Sequence, residues 1–169
     1  MENQYRQIVR EKIVDSLAAP VPALTRRDVW LPSVPNKATV VIGMRRSGKT
    51  SLLWQILGDR LAQGAAREGL LYFSFEDERL AGLQGQDLDL LVEEYFRLYP
   101  QSRDRDRVTF FLDEIQVIPG WERFARRLLD SETIDLFLSG SSARLLSREV
   151  ATSMRGRGMP VMPSSALAA

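Results

Sequence analysis

Cysteine and histidine are both absent from the 169 residues. Their absence excludes disulfides, thiolate nucleophiles, histidine-dependent zinc sites and any triad built on imidazole. Lysine is scarce too: Lys12, Lys37 and Lys49 are the only lysines among 23 basic residues. The 22 acidic residues bring the net charge to +1, too little for a general attraction to nucleic acid or a membrane surface. No apolar run approaches the roughly 20 residues of a bilayer span, and no secretory leader pattern opens the chain, so the expected location is cytoplasmic. Any chemistry is left to carboxylates, hydroxyls, arginines and a lysine.

What is present is concentrated in one stretch. Gly43-Met44-Arg45-Arg46-Ser47-Gly48-Lys49-Thr50 fits G-x-x-x-x-G-K-[ST] without a mismatch, and Ala38 to Ile42 before it reads as a buried strand. Ser51 to Leu57 after it continues at helical spacing toward Leu61. Glycines let such a loop curl so that successive N–H groups point inward, and the following helix adds its partial positive charge. Lys49 can reach the β- and γ-phosphates and the Thr50 hydroxyl can ligate Mg²⁺, so the stretch from Gly43 to Ser51 is expected to hold a nucleoside triphosphate.

The rest of the chain places this loop in an α/β context. At 44% hydrophobic, it supports one globular domain that buries roughly two thirds of its unfolded surface. Residues 1–19 read as an amphipathic helix with Tyr5, Ile8, Val9, Ile13, Val14 and Leu17 on one flank, ended by Pro20 and Pro22. A Pro-containing connector follows to residue 37, with Trp30 and Leu31 expected against the core. Further strands are expected at Leu70–Phe75, Val108–Leu112 and Ile134–Leu138, and helices at Leu88–Tyr99, Trp121–Leu129 and Ala143–Val150. Gln101 to Arg107 reads as a solvated loop. Alternating helices and near-continuously apolar strands indicate a parallel sheet covered on both faces, a three-layer fold. The expected division is a helix and connector over 1–38, a P-loop core over 39–158 and an irregular tail over 159–169.

Two more strand ends carry chemistry. Val108 to Leu112 runs into Asp113-Glu114, and strand C-termini are where ligands bind in open α/β sheets. This has the form of a Walker B element, with Asp113 holding Mg²⁺ through its water shell and Glu114 deprotonating the attacking water. Leu136 to Leu138 runs into Ser139-Gly140-Ser141-Ser142, which offers a hydroxyl to sense the γ-phosphate or the water. Ser139 and Ser141 both qualify and the spacing does not choose between them; Ser141 is carried as the candidate. Ser142 reads as the cap of the next helix.

Taken in order, the loop with Arg45-Arg46, Phe73-Ser74-Phe75-Glu76-Asp77, Leu112-Asp113-Glu114-Ile115-Gln116, Pro119-Gly120-Trp121-Glu122, Ser139 to Leu146 and Arg155-Gly156-Arg157 resemble the prokaryotic AAA-type ATPases of family fourteen. The resemblance implies an additional-strand P-loop NTPase with ATP and Mg²⁺, joined as a rule to a C-terminal nuclease-like domain. It also implies that Arg157 touches the γ-phosphate, within one chain or across a subunit contact. The implied sheet order is 5-1-4-3-2, yet after Arg157 come Pro160, Pro163 and small residues that do not make a central strand. The expectation is therefore a truncated product lacking its last core strand, with the P-loop strand exposed as an edge for a second copy or a partner protein.

The functional expectation is an ATP-binding domain that hydrolyses ATP to ADP and phosphate. Two alternatives are weighed against it: a nucleotide-binding interaction module without turnover, and a small-molecule kinase with Arg144, Arg148, Arg155 and Arg157 as lid arginines. Glu114 speaks against the kinase, because a water-activating carboxylate is what a kinase avoids. Arg103, Arg105 and Arg107 alternate with Asp104 and Asp106, a neutral solvated pattern rather than a phosphate-tracking one.

Overall fold

The computed structural model describes residues 2–29, 31, 34–105, 107–141, 156 and 158–161. Its elements are α1 (Glu2–Ala18), β1 (Ala38–Gly43), α2 (Lys49–Ala62), β2 (Leu70–Ser74), α3 (Asp89–Leu98), the one-turn α4 (Ser102–Arg105), β3 (Val108–Asp113), α5 (Trp121–Ser131), β4 (Ile134–Ser141) and β5 (Gly158–Val161). The five strands form one sheet in the order β2-β3-β4-β1-β5, each neighbouring pair parallel.

Period-two alternation along the strands decides the layers. Val40, Ile42, Phe110, Leu112, Leu136 and Leu138 point to one face and join the buried residues of α1, α3 and α5. Val41, Phe111 and Phe137 point to the other and meet Leu52, Leu53 and Leu57 of α2, with Phe111 and Phe137 stacked at 5.1 Å. Both faces are covered, which is why β3 is buried at every position and reads as a continuous apolar run. The registers Ser74↔Asp113 and Gly43↔Ser141 bring the C-terminal ends of β2, β3, β1 and β4 to a common rim.

The expectation that the last core strand is missing is corrected. Gly158–Val161 pairs with Ala38–Val41, so the exposed edge belongs to β5 rather than to the P-loop strand over those four residues. Pro160 excludes a central strand but not an edge strand, where one side has no ladder to complete, and it is exposed. Residues 159–161, expected as irregular tail, belong to β5, and residues 162–169 lie outside the described residues.

Smaller corrections follow the same logic. β4, expected over Ile134–Leu138, continues through Ser139 to Ser141. Gln101 to Arg107 contains the turn α4, and Ser102 is buried. Val14 lies at the edge of the apolar flank of α1 and faces solvent. Trp30, Ser142 and the helix expected at 143–150 lie outside the described residues.

The opposite edge of the sheet, β2, is covered by α1. Ser16 Oγ donates to the Tyr72 carbonyl at 2.5 Å, and Arg67 Nη2 donates to the Ser16 carbonyl at 2.6 Å. Such covering removes a free strand edge from solvent. No helix among the described residues is long and apolar enough to cross a membrane.

Asp77 fastens α1 to the turn after β2. It accepts from Arg79 Nη2 at 2.9 Å and from Lys12 Nζ at 2.9 Å. The Arg79 bonds, helped by Lys12 and opposed by partial burial, hold its carboxyl well below the usual carboxylate range. A depressed folded-state pKa stabilises the fold above the unfolded-state value near 4 and ceases to do so as pH falls through the folded value. Asp77→Asn should therefore cost roughly 1.5 kcal/mol at neutral pH. Urea unfolding at a series of pH values should show this difference constant above about pH 5 and shrinking below about pH 4.

Candidate functional site at the strand C-termini

β1 ends at Gly43 and the chain turns through Met44 to Gly48 into α2. Two left-handed residues make the turn, Arg46 at φ 64° and Gly48 at φ 83°. Alternating handedness of this kind gathers successive N–H groups into a concave anion cradle. Lys49, the first residue of α2, is only 4% exposed. Its Nζ donates to the carbonyls of Gly43 at 3.1 Å and Met44 at 2.9 Å, and lies 3.4 Å from Glu114 Oε1. The loop thus keeps its cation folded back over its own mouth. Ser47 Oγ is buried without a hydrogen-bond partner among the described residues.

β3 delivers the carboxylates. Asp113 is 2% exposed and needs donors to be tolerated there. It receives hydroxyls from three elements: Thr50 on α2 at 2.6 Å, Tyr72 on β2 at 2.6 Å, and Ser139 on β4. Burial, followed by the neighbouring Asp113 charge, pushes the Tyr72 hydroxyl well above its ordinary range, so it stays a donor throughout the accessible pH range. Glu114 leaves the strand in a left-handed conformation, φ 56°, which swings it away from Asp113's pocket. One of its oxygens faces Lys49 and the other accepts from Gln116 Nε2.

Arg45, Lys49, Glu76, Glu114, Gln116, Val117 and Ser141 line a cleft of about 250 Å³. Arg45 pairs with Glu76 at 2.8 Å on its exposed rim. Ser141 therefore stands in the cleft with Lys49 and Glu114. Ser139 instead is fully buried beneath it, donating to Asp113 and accepting the Glu114 N–H at 3.0 Å. Arg46 and Ser51 are exposed, and Arg157 lies outside the described residues.

The donor set fits a small hard cation. Thr50 Oγ1 and the Asp113 carboxylate are adjacent oxygens beside an anion cradle. Mg²⁺ is held in this manner, with one or two protein oxygens, its own waters and substrate phosphates, rather than by a protein cage. No cluster of three or more acidic ligands occurs among the described residues.

Sequence reasoning missed Tyr72, Gln116 and Arg27 as parts of this site. Tyr72 lies inside an apolar strand, and only the pairing of β2 with β3 brings its hydroxyl to Asp113. Gln116 carried a signal, standing two residues after Glu114, but its contact depends on the turn between them. Arg27 sits twenty residues before the loop carbonyl it touches.

Residues 35–164 match the AAA domain of family fourteen. The chain belongs to that family. This places it in the class of AAA-type nucleotide-binding domains. Curated relatives of the AAA domain include an uncharacterized protein of Methanocaldococcus jannaschii, 36% identical over 153 residues, covering 90% of this chain and 32% of that protein. An uncharacterized protein of Haemophilus influenzae is 38% identical over 119 residues, covering 70% of this chain and 28% of its own length. A second Methanocaldococcus jannaschii protein is 27% identical over 137 residues, covering 80% and 28% respectively. The chain thus spans about a third of the length of these relatives.

The two serines at the end of β4 should separate in a stability measurement. Ser139→Ala strands a buried carboxylate oxygen and the Glu114 N–H, and should cost roughly 1–3 kcal/mol in urea unfolding. Ser141→Ala, on the cleft wall, should stay within about 0.5 kcal/mol of the parent chain.

Proposed function

We propose that this AAA domain binds ATP with Mg²⁺ and hydrolyses it to ADP and phosphate. The observation that carries the reading is the convergence at one mouth of a phosphate-cradle lysine, a carboxylate base 3.4 Å from it and a Thr50–Asp113 oxygen pair at 2.6 Å. Mg²⁺, when bound, would neutralise phosphate charge beside Thr50 and Asp113. The N–H groups of the loop and Lys49 would take the phosphate oxygens.

Lys49 is engaged by two loop carbonyls and by Glu114. Phosphate oxygens compete for those same three protons of the ammonium. Binding the triphosphate would thereby draw Lys49 off Glu114 and free one carboxylate oxygen. That oxygen would take a proton from water as the water oxygen bonds to the γ-phosphorus and the bond to the ADP oxygen breaks. Ser141, on the cleft wall, would orient the water or a γ-oxygen, and Arg157, by family likeness, would offset charge there.

Lys49→Ala should abolish binding of Mg-ATP in calorimetric titration, and unchanged affinity would remove the P-loop assignment. Glu114→Gln should keep binding and slow phosphate release by about 10²-fold or more. Equal rates in the Glu114→Gln and parent chains would favour a nucleotide-binding module without turnover. Phosphate release with no acceptor added separates hydrolysis from a kinase reaction.

A further inference from the structure

Arg27 lies in the connector between α1 and β1, outside the segment that matches the family. Its Nη1 donates to the carbonyl of Ser47, within the phosphate loop, at 3.1 Å. A Cβ placed on Gly48 would stand 2.3 Å from Arg27 Nη2 and 2.9 Å from Cζ, so the guanidinium fills the space a side chain at 48 would occupy. Gly48 is required by its φ of 83°, and any side chain there would displace the Arg27 guanidinium.

The arginine is itself held in place. Its backbone N–H donates to Gln55 Oε1 at 2.9 Å, and Gln55 Nε2 donates back to its carbonyl at 2.8 Å. Gln55 is buried on α2, two turns after Lys49. Arg26 grips Asp59, one turn further, through two bonds of 2.6 and 3.2 Å. Val21 and Val29 pack against the apolar residues of α2 and the sheet. The connector is a strap over α2 that ends with a cation on the phosphate loop.

What the contact does follows from the peptide unit. In a trans peptide the carbonyl of residue 47 and the N–H of residue 48 point in opposite directions. With the Ser47 oxygen held by Arg27, the Gly48 N–H is fixed in the opposite direction. We infer that Arg27 is a positioning residue for the phosphate cradle, aiming the Gly48 N–H at the bound phosphate through its grip on the Ser47 carbonyl. This rests on the reading of the loop as a nucleotide site.

Titration with Mg-ATP of the parent chain, Arg27→Ala, Arg27→Lys, Gln55→Ala and the Arg27→Ala/Gln55→Ala double variant tests it, beside Lys49→Ala and thermal unfolding without nucleotide. Removing a hydrogen bond from a charged group should weaken Mg-ATP binding about tenfold or more in Arg27→Ala. KM should rise by a larger factor than kcat falls. Arg27→Lys, which keeps a cationic donor, should return to within about threefold of the parent affinity. Gln55 acts through Arg27, so the double variant should bind no more than about threefold weaker than Arg27→Ala.

Affinity in Arg27→Ala within twofold of the parent would overturn the inference, as would multiplicative losses in the double variant or Arg27→Lys binding as weakly as Arg27→Ala. Should Arg27→Ala fail to unfold cooperatively, Arg27→Gln, with a neutral donor on a shorter chain, carries the same comparison. No binding by the parent chain would overturn the nucleotide-site reading and this inference with it. Binding by the parent and Arg27→Ala alike, with loss in Lys49→Ala, would overturn this inference alone.

Discussion

A carboxylate at the buried end of a central strand has to be met by donors, and the way Asp113 is met organises the whole rim. Its oxygens take hydroxyls from α2, β2 and β4, three elements spread along the chain from Thr50 to Ser139. Removing one partner from a buried charged group costs more than the bond itself gains, because the remaining charge is left under-solvated. The arrangement is therefore held by penalty as much as by attraction. It fixes the rotamer of Thr50 beside the phosphate loop, the tilt of Tyr72 against Trp54 at 4.7 Å, and, through Ser139, the backbone of Glu114. A cation taking Thr50 and Asp113 as ligands would enter a frame already set.

Lys49 stands next to this frame under a different constraint. A buried ammonium needs acceptors too, and finds them in Gly43, Met44 and Glu114. Under the proposed function, phosphate oxygens would take their place around the ammonium. The two carboxylates at the end of β3 thus have separate work, one bound into the frame and one paired with a group that a ligand can claim. Glu114 leaves the strand in a left-handed conformation and lines the cleft with Lys49, while Asp113 stays buried among its hydroxyl donors.

Much of this was legible before folding because it is local. The phosphate loop, the apolar strand ending in Asp113-Glu114 and the alternation of strands with helices are written within a few residues each, and their periodicity survives any tertiary context. Tyr72 was not legible, because its role depends on β2 lying beside β3. The sequence does not separate Ser139 from Ser141, because one residue pair decides whether β4 ends before or after them, and in a strand that decides burial. The fifth strand is hidden for a different reason. Proline argues against a central strand, whereas β5 occupies an edge and pairs with β1 alone among the described residues.

The connector shows why the boundary of a family match is not the boundary of a site. A phosphate cradle is an arrangement of peptide planes, and a plane can be turned from either of its edges. Under the proposed function, ligand phosphates would act on the N–H edge, whereas Arg27 acts on the carbonyl edge. Because Gln55 clamps both backbone groups of Arg27, the position of the strap is tied to α2, whose first turn carries Lys49 and Thr50. Cradle, Lys49 and Thr50 therefore share one support, which the connector grips at Gln55 and Asp59.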